Sequence, residues 1–478
     1  MLFNSYFFLF AFLPLALLSF HVLRQRSWAS ALIAISTLSL AFYASWDLRY
    51  LALLVPSLLI NYWLGERIAR THSRAWLGAG IAANLAVIGW FKYSLFFYVN
   101  VTGAEPPEFL RNIALPLGIS FITFQKIAYL VDVWRGHPKA VSFKRFAFFV
   151  LFFPQLIAGP IVLFRNLDRQ VGKGPRSEAR YRAMLQAGLT LFAIGLFKKV
   201  VFADALSSYA DAVYAVGSPV INPSDAWLGA LTYSLQLYFD FSGYSDMAIG
   251  LAAMFGFRLP TNFNSPYQAS SIIDFWRRWH MTLSAFFREY VYIPLGGNRR
   301  GLAWQALFIG VVFLLTGLWH GAGWTFVAWG GLHGLLVLTN HLWSRWSPIR
   351  LPRLLTWPLT MLAVVCLWVI FRSPSWPFAT RMLTAMTFTG PHTAMRPFED
   401  TLLYGPAWLM TVTIGALALV MPNSRRLARN LRQGRWLFRR EEPALPVVWV
   451  PGLIIGALLY FAIASIGTLQ SKFIYFNF

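Results

Sequence analysis

The stretch "GLWHGAGWTFVAWGGLHG", residues 317–334, combines the composition of a membrane helix with two histidines, His320 and His333. Apolar residues, glycines and three tryptophans surround the two imidazoles. Ionisable side chains at membrane depth are costly, and they usually face a protein interior or a water-filled cavity rather than lipid. The stretch therefore predicts a helical membrane fold with a polar site inside it.

The composition of the whole chain also indicates a membrane protein. Of 478 residues, 57% are hydrophobic, 17% are aromatic and only 12% are charged, and the mean hydropathy is +0.54, which lies outside the range of soluble domains. The long apolar stretches lack the alternation of a membrane β-barrel, so we expect an all-α polytopic membrane protein with one integral-membrane domain over residues 1–478. Stretches of spanning length include 29–45, 76–98, 226–255, 355–371 and 447–467.

The charge pattern argues for a membrane topology and against nucleic-acid binding. The formal net charge is +23, but the lysines and arginines lie in short loops between apolar segments and form no single stripe. An excess of Lys and Arg in cytoplasmic loops explains this pattern. The single cysteine, Cys366, lies in an apolar run, which excludes a disulfide within the chain and disfavours a thiol nucleophile.

Loop charges also predict the orientation. The first segment lacks a basic start and a cleavage site, so we expect a retained helix with the N-terminus outside, because Arg24 and Arg26 follow the apolar run. The same rule places 99–110, 206–225 and the C-terminus outside. It places the basic loops 66–74, 165–182 and 425–441 in the cytoplasm.

Three regions depart from simple spans. Prolines and a glycine interrupt 146–164, which we interpret as a re-entrant element, with a kinked full span as the alternative. Residues 257–302 mix charges with bulky aromatic residues, as in interfacial helices on the cytoplasmic side. Residues 303–343 begin and end next to basic residues, which predicts a helical hairpin with its bend at "WHGAG" and with His320 away from the cytoplasmic face.

Among the eight histidines, His320 and His280 are the strongest candidates for chemistry. A neutral His320 in a poorly hydrated site could accept a proton, and His280 ends the charged aromatic stretch "DFWRRWH". The alternatives are structural: His320 could donate to a carbonyl group on a neighbouring helix, and His280 could serve packing alone. For His333 and His341 the structural interpretation is favoured. The sequence contains no convincing metal-site spacing, serine-nucleophile elbow or P-loop.

The motif "LYFDFSGYSDMAIG", residues 237–250, places Asp240 and Asp246 in an apolar span. Carboxylates six residues apart do not share a helix face, so we expect one to pair with an arginine and the other to line a cavity. The side chains that we expect to line this cavity are Asp240, Ser242, Tyr244, Trp319 and Trp324.

Residues 274–301, "DFWRRWHMTLSAFFREYVYIPLGGNRRG", together with 317–334, closely resemble the membrane-bound O-acyltransferase family. They are most similar to its bacterial branch that includes the alginate O-acetyltransferase membrane subunit. The opening "MLFNSY", the stretches "PLGISFITFQKIAYLVDVWRG", "FFPQLIAGPI" and "YFDFSGYSDMAIG", and the ending "FIYFNF" extend the similarity along the whole chain. The resemblance implies a ring of about 11 tilted transmembrane helices, with re-entrant and interfacial helices, around a central funnel. It also implies that His320 is catalytic and that His280 is the second residue of the catalytic region.

The resemblance further implies the reaction. The expected donor is acetyl-CoA from the cytoplasm, with no tightly bound cofactor and no metal; His320 deprotonates the acceptor hydroxyl and His280 assists. The acceptor in this branch is an exported polysaccharide, alginate-like or cellulose-like, which is reached from the bacterial inner membrane with a periplasmic SGNH-hydrolase-like acetyltransferase and a polysaccharide synthesis and export complex. The residues that could hold the donor phosphates are Arg277, Arg278, Arg288, Arg299 and Arg300.

Two other functions are considered. The D-alanyl transfer protein of teichoic acid modification belongs to the same family and takes its acyl group from a carrier protein. A transporter or flippase would also contain buried charges, but the sequence shows no pair of interrupted helices in corresponding halves.

Overall fold

The computed structural model of the protein describes residues 1–137, 141–172, 174, 177–215, 222–389, 401–432, 450–467 and 473–474. All regular secondary structure in these residues is helical, as the apolar stretches predict. Within them, five helices are long and apolar enough to cross a membrane: Phe8–Arg26, Leu48–Thr71, Arg74–Thr102, Leu302–His320 and Arg353–Arg372. The bent pair Gly405–Val420 and Ser424–Arg432 raises this number to six. The protein is thus a multi-pass membrane protein, and the ring of 11 helices stays a prediction.

The chain divides into two compact units. The first contains Met1–Ala193 and Tyr244–Thr261, and the second contains Ile194–Gly243 and Asn262–Phe478. Both candidate histidines, His280 and His320, therefore belong to the second unit.

The helices of each unit follow in chain order. Those of the first unit are Leu13–Arg26, Trp28–Ala44, Leu51–Thr71, Arg74–Ile88, Ser94–Thr102, Glu108–Arg111, Ile119–Trp134, Phe143–Leu151, Phe153–Leu156 and Phe164–Val171. Those of the second are Asp204–Val213, Ile272–Arg278, Met281–Phe287, Ile293–Leu295, Leu302–His320, Trp324–Trp346, Arg353–Arg372, Trp376–Met386, Thr401–Val420, Ser424–Arg432 and Val450–Ser465. Two long helices, Glu178–Phe197 and Pro223–Met254, contribute residues to both units.

The stretch 146–164 is an interrupted segment rather than a continuous helix. The helix Phe143–Leu151 ends there, the single turn Phe153–Leu156 follows, and residues 157–162 are buried without being helical. Side chains satisfy part of the freed backbone: Ser39 Oγ accepts from the Phe153 N–H at 3.1 Å, and the Gln155 amide donates to the Phe149 carbonyl. Irregular backbone at membrane depth requires such internal partners.

The "WHGAG" stretch, residues 319–323, lies where two antiparallel helices are connected. The first hairpin helix is Leu302–His320 and the second hairpin helix is Trp324–Trp346, with a non-helical bend between them. They approach most closely at two glycines: a Cβ atom on Gly317 would collide with the Phe326 carbonyl oxygen, and one on Gly330 with the Phe313 carbonyl oxygen. Small residues permit this close helix contact in membranes, and it fixes the turn of helix that ends at His320.

We expect Gly317→Ala to destabilise the hairpin by about 1–3 kcal/mol, because the added methyl group overlaps with rigid backbone and forces the helices apart. Thermal unfolding in detergent, followed by the loss of monodisperse protein, measures the effect. Gly310→Ala is the matched control on the same helix, since a Cβ atom there meets nothing within 4 Å. Equal stability of the two variants would show that the helices do not pack at Gly317.

Candidate active site

His320 is the last residue of the first hairpin helix, and it lies in a box of aromatic rings. Its side chain is buried, at 3% exposure. The rings of Trp319, Trp329 and Phe371 meet the imidazole edge-on, with centroids 4.8, 5.1 and 5.3 Å away. Three aromatic rings thus enclose the imidazole of the candidate base.

His280 lies between the helices Ile272–Arg278 and Met281–Phe287, and its side chain is completely buried. Its backbone is left-handed, with φ of 42°, a conformation that is uncommon for residues other than glycine. The N–H of the next residue, Met281, donates to the Asn262 carbonyl at 2.9 Å. Strained residues of this kind cluster at functional sites. Here the strained residue carries an imidazole, which can donate or accept a proton.

The side chain of Asn262 fixes the tautomer of His280. His280 Nδ1 lies 3.1 Å from Asn262 Oδ1, which also accepts from the Thr282 hydroxyl at 2.9 Å. Because Oδ1 is an acceptor, Nδ1 must carry the proton, and the lone pair of the neutral ring is therefore on Nε2. Burial lowers the pKa of His280 to about 3, so the ring is neutral at physiological pH. Asn262 could not be selected from the sequence, because no motif links it to His280.

The indole of Trp319 connects the two candidate histidines. Its ring centroid lies 4.8 Å from that of His320 and 5.9 Å from that of His280. Trp319 itself is buried, at 5% exposure. The structure thus brings together three residues that the sequence analysis selected, in one apolar pocket of the second unit.

His333 supports the walls of this pocket. Its Nδ1 accepts a hydrogen bond from the Trp276 indole N–H at 3.2 Å, and its ring contacts Trp329 with centroids 4.8 Å apart. Trp329 in turn contacts His320. This arrangement fits the structural role that the sequence favoured for His333.

A cavity of about 660 Å³ opens beside the pocket. Its wall includes Thr316, one helical turn before His320, and Met281, which directly follows His280. Trp276 and Phe313 contribute apolar surface, and the exposed Arg288 is also part of the wall. The wall of this cavity thus combines apolar side chains with a cationic group, and it does not include His280 or His320.

The five candidate arginines divide into three groups. Arg277 and Arg288 are exposed and line the cavity. Arg278 does not line it, and its Nε pairs with Asp274 Oδ1 at 2.9 Å. Arg299 and Arg300 are exposed and are not part of the described cavity wall, although the preceding residue, Asn298, is.

The remaining candidates are dispersed. Asp240, which we expected to line a cavity, is buried and pairs with Lys199 at 2.7 Å. Ser242 is buried on the same helix, whereas Trp324, at the start of the second hairpin helix, is 63% exposed. Tyr244 belongs to the first unit, where it stacks on Phe3 with ring centroids 4.9 Å apart.

The described part of the chain is thus a multi-pass membrane protein in which two histidines are buried beside one indole. The model of the membrane-bound O-acyltransferase family matches residues 3–373. The chain belongs to this family and is an acyltransferase.

Relatives with assigned names include O-acetyltransferases of two kinds. The chain is 38% identical to the peptidoglycan O-acetyltransferase of Helicobacter pylori over an alignment of 531 positions, which covers 100% of this chain and 98% of the relative. It is 43% identical to the probable alginate O-acetylase AlgI of Pseudomonas aeruginosa over 400 residues, 81% of this chain and 75% of the relative. The teichoic acid D-alanyltransferase of Bacillus subtilis is more distant, at 29% identity over 61% of this chain and 74% of its own length.

Proposed function

We propose that the protein is an O-acetyltransferase that transfers an acetyl group from cytoplasmic acetyl-CoA towards a hydroxyl group of a glycan outside the membrane. The observation that most supports this proposal is that the buried imidazoles of His280 and His320 both contact the indole of Trp319. A cavity with Arg277 and Arg288 in its wall lies beside them. Similarity to O-acetyltransferases that act on alginate and on peptidoglycan supports acetyl as the group and a glycan as the acceptor.

The proposed step is a single acyl transfer. His320 takes the proton of the acceptor hydroxyl while the oxygen attacks the thioester carbonyl carbon. The C–S bond breaks, an ester forms, and the thiolate of CoA leaves and regains a proton. His280, whose acceptor lone pair is on Nε2, assists by orienting the hydroxyl or by sharing its proton. The cavity keeps the adenine nucleotide end of the donor near the arginines, while the thioester arm reaches the apolar pocket.

Delivery to the glycan is a second part of the proposal. By resemblance to the bacterial branch, the protein lies in the inner membrane with both termini outside and works with a periplasmic SGNH-hydrolase-like partner and a polysaccharide synthesis and export complex. Unchanged glycan acetylation in cells that lack such a partner would contradict this route.

Inverted membrane vesicles provide the direct test, because they expose the cytoplasmic face. With radiolabelled acetyl-CoA we expect CoA release and alkali-labile acetyl esters that depend on His320, and we expect no reaction in right-side-out vesicles. Transfer of D-alanine from a carrier protein instead of acetyl from acetyl-CoA would favour the teichoic acid alternative. The absence of transfer from acetyl-CoA would contradict acetyl-CoA as the donor.

We expect the double variant Arg277→Gln and Arg288→Gln to raise the KM for acetyl-CoA about thirtyfold, because each lost charge-assisted contact to phosphate costs on the order of 1 kcal/mol. The change in kcat should be small, since the arginines bind the donor equally in the ground and transition states. Titration of CoA release against donor concentration measures both constants.

The matched control is Arg299→Gln with Arg300→Gln, which removes two exposed arginines outside the described cavity wall. We expect this pair to change the KM less than the cavity pair does. A larger effect of the control pair would move the donor phosphates to the 299–300 turn.

A further inference from the structure

A buried cluster of charges in the second unit has no part in the acyl transfer proposed above. Lys199 Nζ lies 2.5 Å from Asp204 Oδ1 and 2.7 Å from Asp240 Oδ1, and all three side chains are at most 3% exposed. One cation thus faces two carboxylates. Buried charges are costly unless they are paired and hydrogen-bonded, so the second carboxylate requires a further donor.

A distant part of the chain supplies this donor. The backbone N–H of Ile474 donates to Asp240 Oδ2 at 2.9 Å, across 234 residues of sequence. Phe473 and Ile474 are themselves buried, at 1% and 6% exposure. A hydrogen bond from a peptide N–H to a carboxylate is charge-assisted and stronger than a neutral one. Asp240 therefore pairs with Lys199 through one oxygen and binds the Phe473–Ile474 segment through the other.

A glycine permits the approach that forms the cluster. Gly243 follows Asp240 by three residues on the same helix face. A Cβ atom on Gly243 would lie 2.8 Å from the Gly195 carbonyl oxygen and 3.1 Å from the backbone nitrogen of Lys199. Only a residue without a side chain fits this contact, and the contact brings Lys199 to Asp240.

The residue next to Asp240 connects the cluster to the candidate active site. The ring of Phe241 contacts that of Phe473 with centroids 6.3 Å apart. The same ring meets the His280 imidazole edge-on at 4.7 Å. Asp240 and Phe241 thus bind the backbone and the side chain of the Phe473–Ile474 segment, and Phe241 supports His280.

We propose that Lys199, Asp204 and Asp240 form a backbone clamp that holds the Phe473–Ile474 segment against Phe241 and thereby positions His280. The three charged residues act through Phe241 and are positioning residues. The effect on catalysis rests on the proposed function, whereas the binding of the segment does not, so the two are tested separately.

Thiol labelling tests the clamp without any activity assay. In a Cys366→Ser background, Ile474→Cys keeps the backbone N–H and places a single thiol in the buried segment. We expect Asp240→Ala and Lys199→Met each to raise the rate of maleimide labelling at this thiol at least about tenfold, as the segment is released from a protected state. Unchanged labelling in both variants overturns the clamp. Asp211→Ala is the control, because its carboxylate forms an ion pair elsewhere in the unit, with Arg372 at 2.9 Å, and is half exposed.

A backbone substitution tests the link to His280. Ile474→Pro removes the donating N–H and leaves the three charged side chains intact, whereas Ile474→Ala keeps the N–H. For the proline variant we expect a kcat about tenfold lower with the KM for acetyl-CoA within about twofold, because a misplaced His280 affects the chemical step more than donor binding. The alanine variant should retain most of the kcat.

A wild-type kcat in correctly inserted Ile474→Pro protein overturns the positioning of His280. Equal losses in the proline and alanine variants overturn it too, because they assign the effect to the side chain. Failure of the wild-type protein to transfer any acyl group would reject the proposed function, and the labelling result would still decide whether the clamp exists.

Discussion

We expect His320→Ala to lower kcat about 10²- to 10⁴-fold, the usual contribution of a general base. The imidazole is enclosed by Trp319, Trp329 and Phe371, which have no group that could accept the proton of the hydroxyl in its place. Release of CoA in single-turnover experiments with purified protein measures the chemical step. His320→Gln keeps much of the side-chain volume and should be as inactive as the alanine variant, which separates the loss of the base from the loss of packing.

His21→Ala is the control for histidine removal in general. His21 belongs to the first unit and lies beside Gln25, with nitrogen atoms 3.2 Å apart. We expect it to retain wild-type activity. A near wild-type rate for correctly inserted His320→Ala protein would remove His320 from the chemistry. The base would then be His280, whose acceptor nitrogen is already oriented by Asn262.

The sequence is informative where a residue type contradicts its surroundings. A histidine among tryptophans and glycines in an apolar stretch is costly, and that cost alone distinguishes His320 from most other histidines of the chain. The close approach of the two hairpin helices at Gly317 and Gly330 was not predicted from the sequence. The charged aromatic stretch at 274–280 is unusual for the same reason. Its last residue, His280, contacts the indole of Trp319, which also contacts His320.

Contacts between distant helices could not be predicted, because hydrophobic periodicity describes one helix at a time. Asn262 is 18 residues from His280, with the short turn Pro266–Gln268 and the helix Ile272–Arg278 between them, and nothing in its own neighbourhood distinguishes it. The Lys199–Asp240 pair joins two separate helices, whereas the sequence led us to expect Asp240 in a cavity wall. The bond from Ile474 to Asp240 depends on a backbone N–H, which every residue except proline possesses.

The arginines illustrate a related limit. Arg288, Arg299 and Arg300 flank the "YIPLGGN" turn, residues 292–298, which indicated a basic region but not the direction of each side chain. Arg277, near the end of the helix Ile272–Arg278, and Arg288, directly after the helix Met281–Phe287, both lie in the cavity wall. Arg278 instead forms an ion pair with Asp274, four residues earlier on the same helix. Such a pair is predictable from helix geometry once the helix Ile272–Arg278 is known, whereas the cavity exists only through the packing of several helices.

We expect His280→Ala to lower kcat about 10²-fold, which is less than the loss for His320→Ala, because an orienting group is more replaceable than the base. Asn262→Ala should lower kcat about tenfold, since the neutral imidazole would then populate both tautomers and expose a proton instead of the Nε2 lone pair for part of the time. Thr282→Val is the milder control: it removes one donor to Asn262 Oδ1 and leaves the bond to His280.

The double variant decides whether Asn262 acts through His280. Residues that act as a unit show strongly non-additive effects. If Asn262 only fixes the tautomer, Asn262→Ala should have almost no effect on kcat in a His280→Ala background, and the double variant should be about as active as His280→Ala alone. Single-turnover rates for the wild type, both single variants and the double variant complete the cycle. A further tenfold loss in the double variant would mean that Asn262 contributes independently of the imidazole, and the tautomer of His280 would then have no part in the rate.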